Sequence, residues 1–189
     1  EYFYEWARTF VYGLENYRPG IVHRVVADWE RRGLIHGVYT QNIDILHQKA
    51  GSRKLYELHG SPASHHCLDC GRSFDYDTIA PEVRRGEVPH CPDCRTVIKP
   101  DIVFYGEMLD EALLEQAFRE FSCADLVLVL GSSLVVQPAA GLPLATLRNG
   151  GRIAIVNRGE TALDARAAFR FDDLETVFTR LEQLTAETP

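Results

Sequence analysis

Two C-x-x-C pairs, Cys67/Cys70 and Cys91/Cys94, constrain this chain more than any other feature. Each knuckle lets two thiolates reach one ion, and two knuckles complete a tetrahedral S4 shell. Zinc is the metal such a donor set favours. Four protein ligands leave no open coordination position, so the ion is expected to be structural rather than catalytic, and the same arrangement argues against redox use. The surrounding segment, 61–99, is dominated by cysteine, proline, charge and turn residues with little apolar periodicity. It reads as a small inserted module held by metal rather than by a core. Within it His65, His66 and His90 read as surface residues, and Cys123, further on, as a small apolar core residue. Paired thiols of this kind suit a reducing, cytosolic setting.

Outside that segment helical and strand-like patterns alternate. Phe3, Ala7, Phe10, Val11 and Leu14 recur at helical spacing, broken at Gly13 and Pro19-Gly20. Ile21, Val22, Val25, Val26 and Trp29 form a second helical face, and 37–40 reads as a short buried strand. Asp110 is placed to cap a helix whose face is Leu113, Leu114, Ala117, Phe118 and Phe121. The run 125–130 is apolar at nearly every position, as a central parallel strand should be. A helix is expected from Pro138 to Asn149-Gly150-Gly151, then a strand over 152–156, then a helix carrying Val177, Phe178, Leu181 and Leu184. Such alternation predicts an α/β fold with a parallel sheet.

The 189 residues suit one domain, or one domain with a small insert, and 46% apolar content is enough for a core. A formal charge of −7 argues against a nucleic-acid or anionic-membrane surface and suits a basic peptide. No apolar run approaches the roughly 18 residues of a membrane span. The chain begins at Glu1 rather than Met, so a native leader is expected to precede it.

Three expected strands finish in small or polar groups: Gln41-Asn42-Ile43-Asp44, Gly131-Ser132-Ser133, and Asn157. Open parallel sheets bind ligands beyond the carboxyl ends of their strands, which predicts one ligand site there. A second polar cluster, Glu57-Leu58-His59-Gly60, follows the first of these. A neutral His59 in a cleft can take a proton from a hydroxyl, although an isolated histidine is more often structural. Asn42 and Asp44 read equally as turn residues, and Gly131-Ser132-Ser133 as a plain strand-to-helix turn.

TQNID, ELHG, the two C-x-x-C pairs, KPDIVFYGE, GSSLVVQPAAGLP and IVNRGET occur in this order. Together they resemble the sirtuin family of NAD-dependent protein deacylases, closest to compact bacterial members, over nearly the whole chain. The resemblance implies a Rossmann-like domain over 1–60 and 100–189, with a zinc-ribbon-like module over 61–99 and NAD in the cleft between them. It implies that His59 is the general base acting on a hydroxyl of the nicotinamide ribose, and that Asn42 holds that ribose or its water. Gln41 would touch ribose, and Ile43 and Asp44 would line the nicotinamide pocket. Gly131, Ser132 and Ser133 would hold the adenosine side, with Asn157 on the adenine ribose and Arg158, Gly159 and the region of Leu174 around the adenine. Val103, Phe104, Gly106 and Glu107 would form a strand that pairs with the substrate backbone beside the acyl-lysine tunnel. The implied reaction transfers the acyl group of protein lysine to ADP-ribose and releases nicotinamide, acetyl or another neutral acyl group being preferred, in a cytoplasmic monomer.

The family's glycine-rich phosphate loop and first strand are missing from these residues, and no G-x-G occurs. They are expected to precede Glu1. Two other readings stand beside deacylation: ADP-ribosyl transfer or NAD hydrolysis at the same site, and, were the chain truly short, a zinc-stapled binding module with impaired turnover.

Overall fold

The computed structural model describes residues 2–186. In chain order the elements are α1 (Tyr2–Phe10), a 3-10 turn (Val11–Asn16), α2 (Ile21–Arg31), β1 (Val38–Thr40), α3 (Leu46–Ala50), β2 (Leu55–Glu57), β3 (Gly60–Cys67), β4 (Ser73–Asp75), α4 (Tyr76–Arg84) and β5 (Ile98–Ile102). Then follow α5 (Glu111–Cys123), β6 (Leu126–Leu130), α6 (Leu142–Arg148), β7 (Arg152–Val156), β8 (Phe169–Phe171) and α7 (Leu174–Ala186). The fold is α/β. Among the described residues its parallel strands lie in two hydrogen-bonded sheets, β1-β2 and β6-β7-β8. The chain forms two compact units, Glu1–Pro19 with His36–Met108, and Gly20–Ile35 with Leu109–Pro189.

In the first unit β1 and β2 pair in parallel with Tyr39 opposite Tyr56, and the two rings stack at 4.5 Å. Strand β3 lies between β4 and β5, antiparallel to both. Along β5 burial alternates, with Ile98, Pro100 and Ile102 inside and Lys99 and Asp101 on the more open face. That is the period of a strand with one face on a core. The core contradicts the expectation of a module held by metal alone. Ile79, Ala80 and Val83 on α4, with Cys67, Cys91 and Ile98, pack into one buried cluster with Tyr4, Ala7, Val11 and Tyr12. Helix α4 starts at Asp75, whose carboxylate accepts from Thr78 N at 2.7 Å. The alternation of α4 is that of an amphipathic helix, hidden in a segment rich in turn residues.

Two single-residue expectations also fail here. His65 is fully buried, not on the surface, with Nε2 2.8 Å from the Tyr12 hydroxyl. Burial lowers its pKa from about 6.5 to about 4, against the opposing charges of Asp101 and Asp75. On α1 the buried aromatic is Tyr4, whose hydroxyl donates to the Ile98 carbonyl, whereas Phe10 is exposed.

In the second unit β7 is the central strand and buries Ile153, Ala154, Ile155 and Val156. Strand β6, the most apolar run in the sequence, pairs on one side only among the described residues, and Leu126 is 43% exposed. Helix α5 is capped as expected, Asp110 accepting from Leu113 N at 2.9 Å. Only Ala117 of its apolar face is buried, and Cys123 is exposed rather than in the core. The indole of Trp29 on α2 packs 5.7 Å from the fully buried ring of Phe178 on α7.

Candidate active site and metal centre

The four cysteine sulfurs all lie within 4.8 Å of one another. Cys67 Sγ is 3.2 Å from Cys94 Sγ, and Cys70 Sγ is 3.7 Å from Cys91 Sγ. A tetrahedron with Zn–S bonds of about 2.3 Å has edges of about 3.8 Å, so zinc fits with small adjustments. Both knuckles are built alike. Cys67 N donates to Arg72 O at 2.9 Å and Gly71 N to Cys67 O at 3.1 Å. In the second, Cys91 N donates to Thr96 O at 2.8 Å and Arg95 N to Cys91 O at 2.9 Å. Cys94 is drawn down to about 7, first by the Thr96 backbone N–H and then by Cys67. At Cys70 the Arg72 backbone N–H lowers the pKa, but the neighbouring sulfurs, Cys67 first, and the loss of water around the thiolate push it up to about 12. Four sulfurs this close cannot all ionise without a cation between them, and the four cysteines are positioned to bind zinc.

The polar cluster at the end of β1 is held by its own backbone. The parallel ladder continues one step past β2, Leu58 N donating to Thr40 O at 2.9 Å. At the following step a side chain takes the place of an amide, and His59 Nδ1 lies 3.0 Å from Gln41 O. A carbonyl only accepts, so Nδ1 carries the proton and Nε2 keeps its lone pair. That tautomer is the one a general base needs. Asn42 N donates to Thr40 Oγ1 at 3.0 Å, and the Asn42 side chain is exposed. Asp44 Oδ1 accepts from Leu46 N at 2.9 Å and so opens α3. Ile43 packs against the buried cluster of the first unit. Between Asp44 and α3, Ile45 sits at φ 54°, a left-handed conformation that a β-branched residue rarely adopts. Strain of this kind gathers at ligand sites, and nothing in the sequence signals it.

Gly60 explains the last letter of the ELHG motif. Its φ is 71°, and a Cβ there would stand 1.9 Å from Asp101 O. Only glycine lets β3 leave His59 and cross β5 this closely. Val103 N donates to His59 O at 2.9 Å, which ties the residues after β5 to the histidine. Those residues, Val103, Phe104, Gly106 and Glu107, form a turn beyond the last paired position of β5, not a strand. Glu107 Oε2 accepts from Phe104 N at 2.9 Å, and its carboxyl is held below the usual range first by that amide and then by Lys99.

In the second unit the carboxyl ends of β6, β7 and β8 carry the remaining candidates. Gly131, with φ 61°, donates its N–H to Val156 O at 2.9 Å. A Cβ on Gly131 would come 3.4 Å from Leu174 Cδ1, so Leu174 borders that strand end. Ser132 Oγ accepts from Leu134 N at 3.2 Å, which leaves its hydroxyl hydrogen to donate elsewhere. Ser133 lies between Ser132 and a second strained residue, Leu134, at φ 55°. Asn157 N donates to Phe171 O at 3.0 Å, and its Nδ2 donates to Gly159 O at 2.8 Å. Its Oδ1 is the amide's acceptor and is able to receive a hydroxyl hydrogen. Arg170 also donates to Gly159 O, at 2.8 Å, and fixes the loop that carries Arg158. Arg158 is nearly fully exposed, 4.0 Å from Asp173. The donor set at this strand end suits sugar hydroxyls and phosphate oxygens. Gln41, Asn42, Ile43, Asp44 and His59 are thus assembled within one unit, and Gly131, Ser132, Ser133, Asn157, Arg158, Gly159 and Leu174 within the other.

The sequence profile of the Sir2 family matches residues 1–138. The NAD-dependent protein deacetylase of Thermotoga maritima is 43% identical over 172 residues, covering 91% of this chain and 70% of that protein. NAD-dependent protein deacetylase 1 of Geobacillus kaustophilus is 40% identical over 189 residues, covering 99% and 76%. Among solved structures, a Sir2 with a p53 peptide and NAD+ superposes with a TM-score of 0.93 at 40% identity, covering 97% of this chain and 77% of that one. A Sir2 bound to acetylated peptide gives 0.92 at 40% identity, covering 97% and 78%.

Proposed function

Because the chain belongs to the Sir2 family, we propose that it removes acyl groups from protein lysine in an NAD-dependent reaction, transferring them to ADP-ribose with release of nicotinamide. The observation that carries this reading is the His59 imidazole, fixed through Nδ1 on Gln41 O with Nε2 left basic. NAD supplies the ribose carbon that accepts the acyl oxygen when nicotinamide leaves. The chain's own part is to bind, orient and move one proton. His59 Nε2 takes the proton of a ribose hydroxyl, a role worth about 10² to 10⁴ in rate. Asn42 presents its amide to the same ribose, Gln41 lies beside it, and Ile43 and Asp44 shape the nicotinamide end. In the second unit Gly131, Ser132 and Ser133 hold the adenosine side. Asn157 Oδ1 accepts from the adenine ribose, with Arg158, Gly159 and Leu174 around the base. Val103, Phe104, Gly106 and Glu107 receive the substrate backbone.

The zinc serves as a fastener within the module 61–99 and takes no proton or electron pair, since four sulfurs fill a tetrahedral shell. The acidic balance of the chain supports a protein rather than a nucleic-acid substrate. The closely grouped thiols support a reducing, cytoplasmic setting, and we take the working form to be a monomer. No helix among the described residues is long and apolar enough to cross a membrane. Incubation with an acetyl-lysine peptide and NAD tests the reading. Free lysine and O-acetyl-ADP-ribose in equal amounts support it, whereas ADP-ribosylated protein or NAD consumption without peptide turnover contradicts it.

A further inference from the structure

The more open face of β5 holds a lysine whose ammonium reaches the end of that strand and the turn that follows. Lys99 Nζ donates to Ile102 O at 2.7 Å and to Glu107 Oε2 at 2.9 Å. The same ammonium stands 4.3 Å from the centroid of the Phe104 ring. The Lys99 side chain is 15% exposed, against 44% for Glu107. An ammonium has three hydrogens, and these contacts give it a carbonyl, a carboxylate and an aromatic face. Glu107 passes the restraint on: the carboxylate oxygen bonded to Lys99 also accepts from Phe104 N, and Glu107 N returns a bond to Phe104 O, each at 2.9 Å. The Phe104 ring is further held 4.7 Å from Phe3. The start of the turn is tied to His59 through Val103 N.

We propose that Lys99 is a positioning residue for the peptide subsite. Through Glu107 and Phe104 it holds 103–107 in the shape that receives the substrate backbone. The proposal rests on the reading of that segment as the peptide-binding turn. Lys99 touches neither NAD nor the acyl group in this account and acts through Glu107 and Phe104. Without the ammonium, Glu107 keeps only an amide partner and its carboxylate swings towards water, so Phe104 N loses its acceptor. The turn then samples other shapes, and peptide binding bears the cost of re-forming it. NAD binding has no reason to change.

The test compares wild type, Lys99→Met, which keeps the stem and removes the charge, and Lys99→Arg, which keeps the charge. Peptide KM, NAD KM and kcat are measured together with hydrogen exchange at the Phe104 and Glu107 amides. Lys99→Met is expected to raise peptide KM about tenfold, the size of one lost charge-assisted hydrogen bond, with NAD KM unchanged. Exchange at both amides should quicken, and Lys99→Arg should recover most of both effects. Unchanged exchange, or faster exchange with unchanged peptide KM, overturns the proposal. So does a matching rise in peptide KM and NAD KM with a fall in melting temperature, which would mark Lys99 as a plain folding residue. Wild-type turnover tests the parent reading separately. Should wild type not turn over, calorimetric titration with acetyl-lysine peptide replaces KM: weaker binding by Lys99→Met, recovered in Lys99→Arg, supports the proposal, and equal binding by all three overturns it.

Discussion

His59 Nδ1 and the Gln41 carbonyl oxygen lie 3.0 Å apart, one step beyond the last backbone bond of the β1-β2 ladder. The contact uses backbone on one side, so no substitution at Gln41 removes it directly, and it fixes the tautomer. In a nitrogen-15 spectrum at neutral pH, neutral His59 should show a protonated Nδ1 and an unprotonated Nε2. The opposite tautomer would leave the general-base role without its lone pair.

Gly60 and Gly131 separate two costs. Both have positive φ, which costs a non-glycine residue about 1–2 kcal/mol. At Gly131 the added Cβ meets only the side chain of Leu174, at 3.4 Å. Gly131→Ala should therefore lose about 1–2 kcal/mol in urea denaturation, and the NAD reading adds a raised KM for NAD. At Gly60 the Cβ meets the Asp101 carbonyl at 1.9 Å, so β3 and β5 must part. Gly60→Ala should lose clearly more than the backbone cost alone and abolish turnover.

Metal analysis should find one zinc per chain, and cobalt substitution should give the absorption of a tetrahedral thiolate site. Cys67 and Cys91 belong to the same buried cluster as Tyr4, Tyr12, Ile79 and Val83. Stripping the metal, or Cys91→Ser, should therefore lower the melting temperature of the whole first unit rather than fray two loops. A melt insensitive to chelation would contradict this.

His65 gives a pH dependence with a definite sign. Its folded pKa, about 4, lies below the ordinary value of about 6.5, so between them the unfolded chain binds the extra proton. Its contribution to stability is full above that window and falls away as pH drops through it. His65→Asn lacks the titrating group, and zinc release on acidification is common to both chains. Melting temperature should therefore fall less steeply from pH 6.5 to 4 in the variant than in wild type.

Local spacing was the legible part of this chain. The zinc ligands, the Asp110 cap and the 152–156 strand each depend on residues near one another in sequence, and the structure has all three where the pattern puts them. What escaped depends on partners far away. Strands β2 and β8 are three residues each, too short to show a period, and exist through pairing with β1 and β7. The run at 125–130 looks central by composition, yet among the described residues the place between two strands belongs to β7, because neighbours rather than hydrophobicity decide it. His65 alternates with polar residues along β3 and reads as surface until Tyr12, 53 residues away, closes over it. Lys99 and Glu107 sit inside a recognisable motif, but their pairing appears only once the turn at 103–107 is folded.

The most direct measurement is turnover of an acetyl-lysine peptide by wild type and His59→Ala, with and without NAD, alongside calorimetric NAD binding by both. Wild type should deacetylate in an NAD-dependent way, and the variant should lose about 10² to 10⁴ in rate while retaining NAD binding. Deacetylation that survives the substitution, or that needs no NAD, would contradict the proposed reaction.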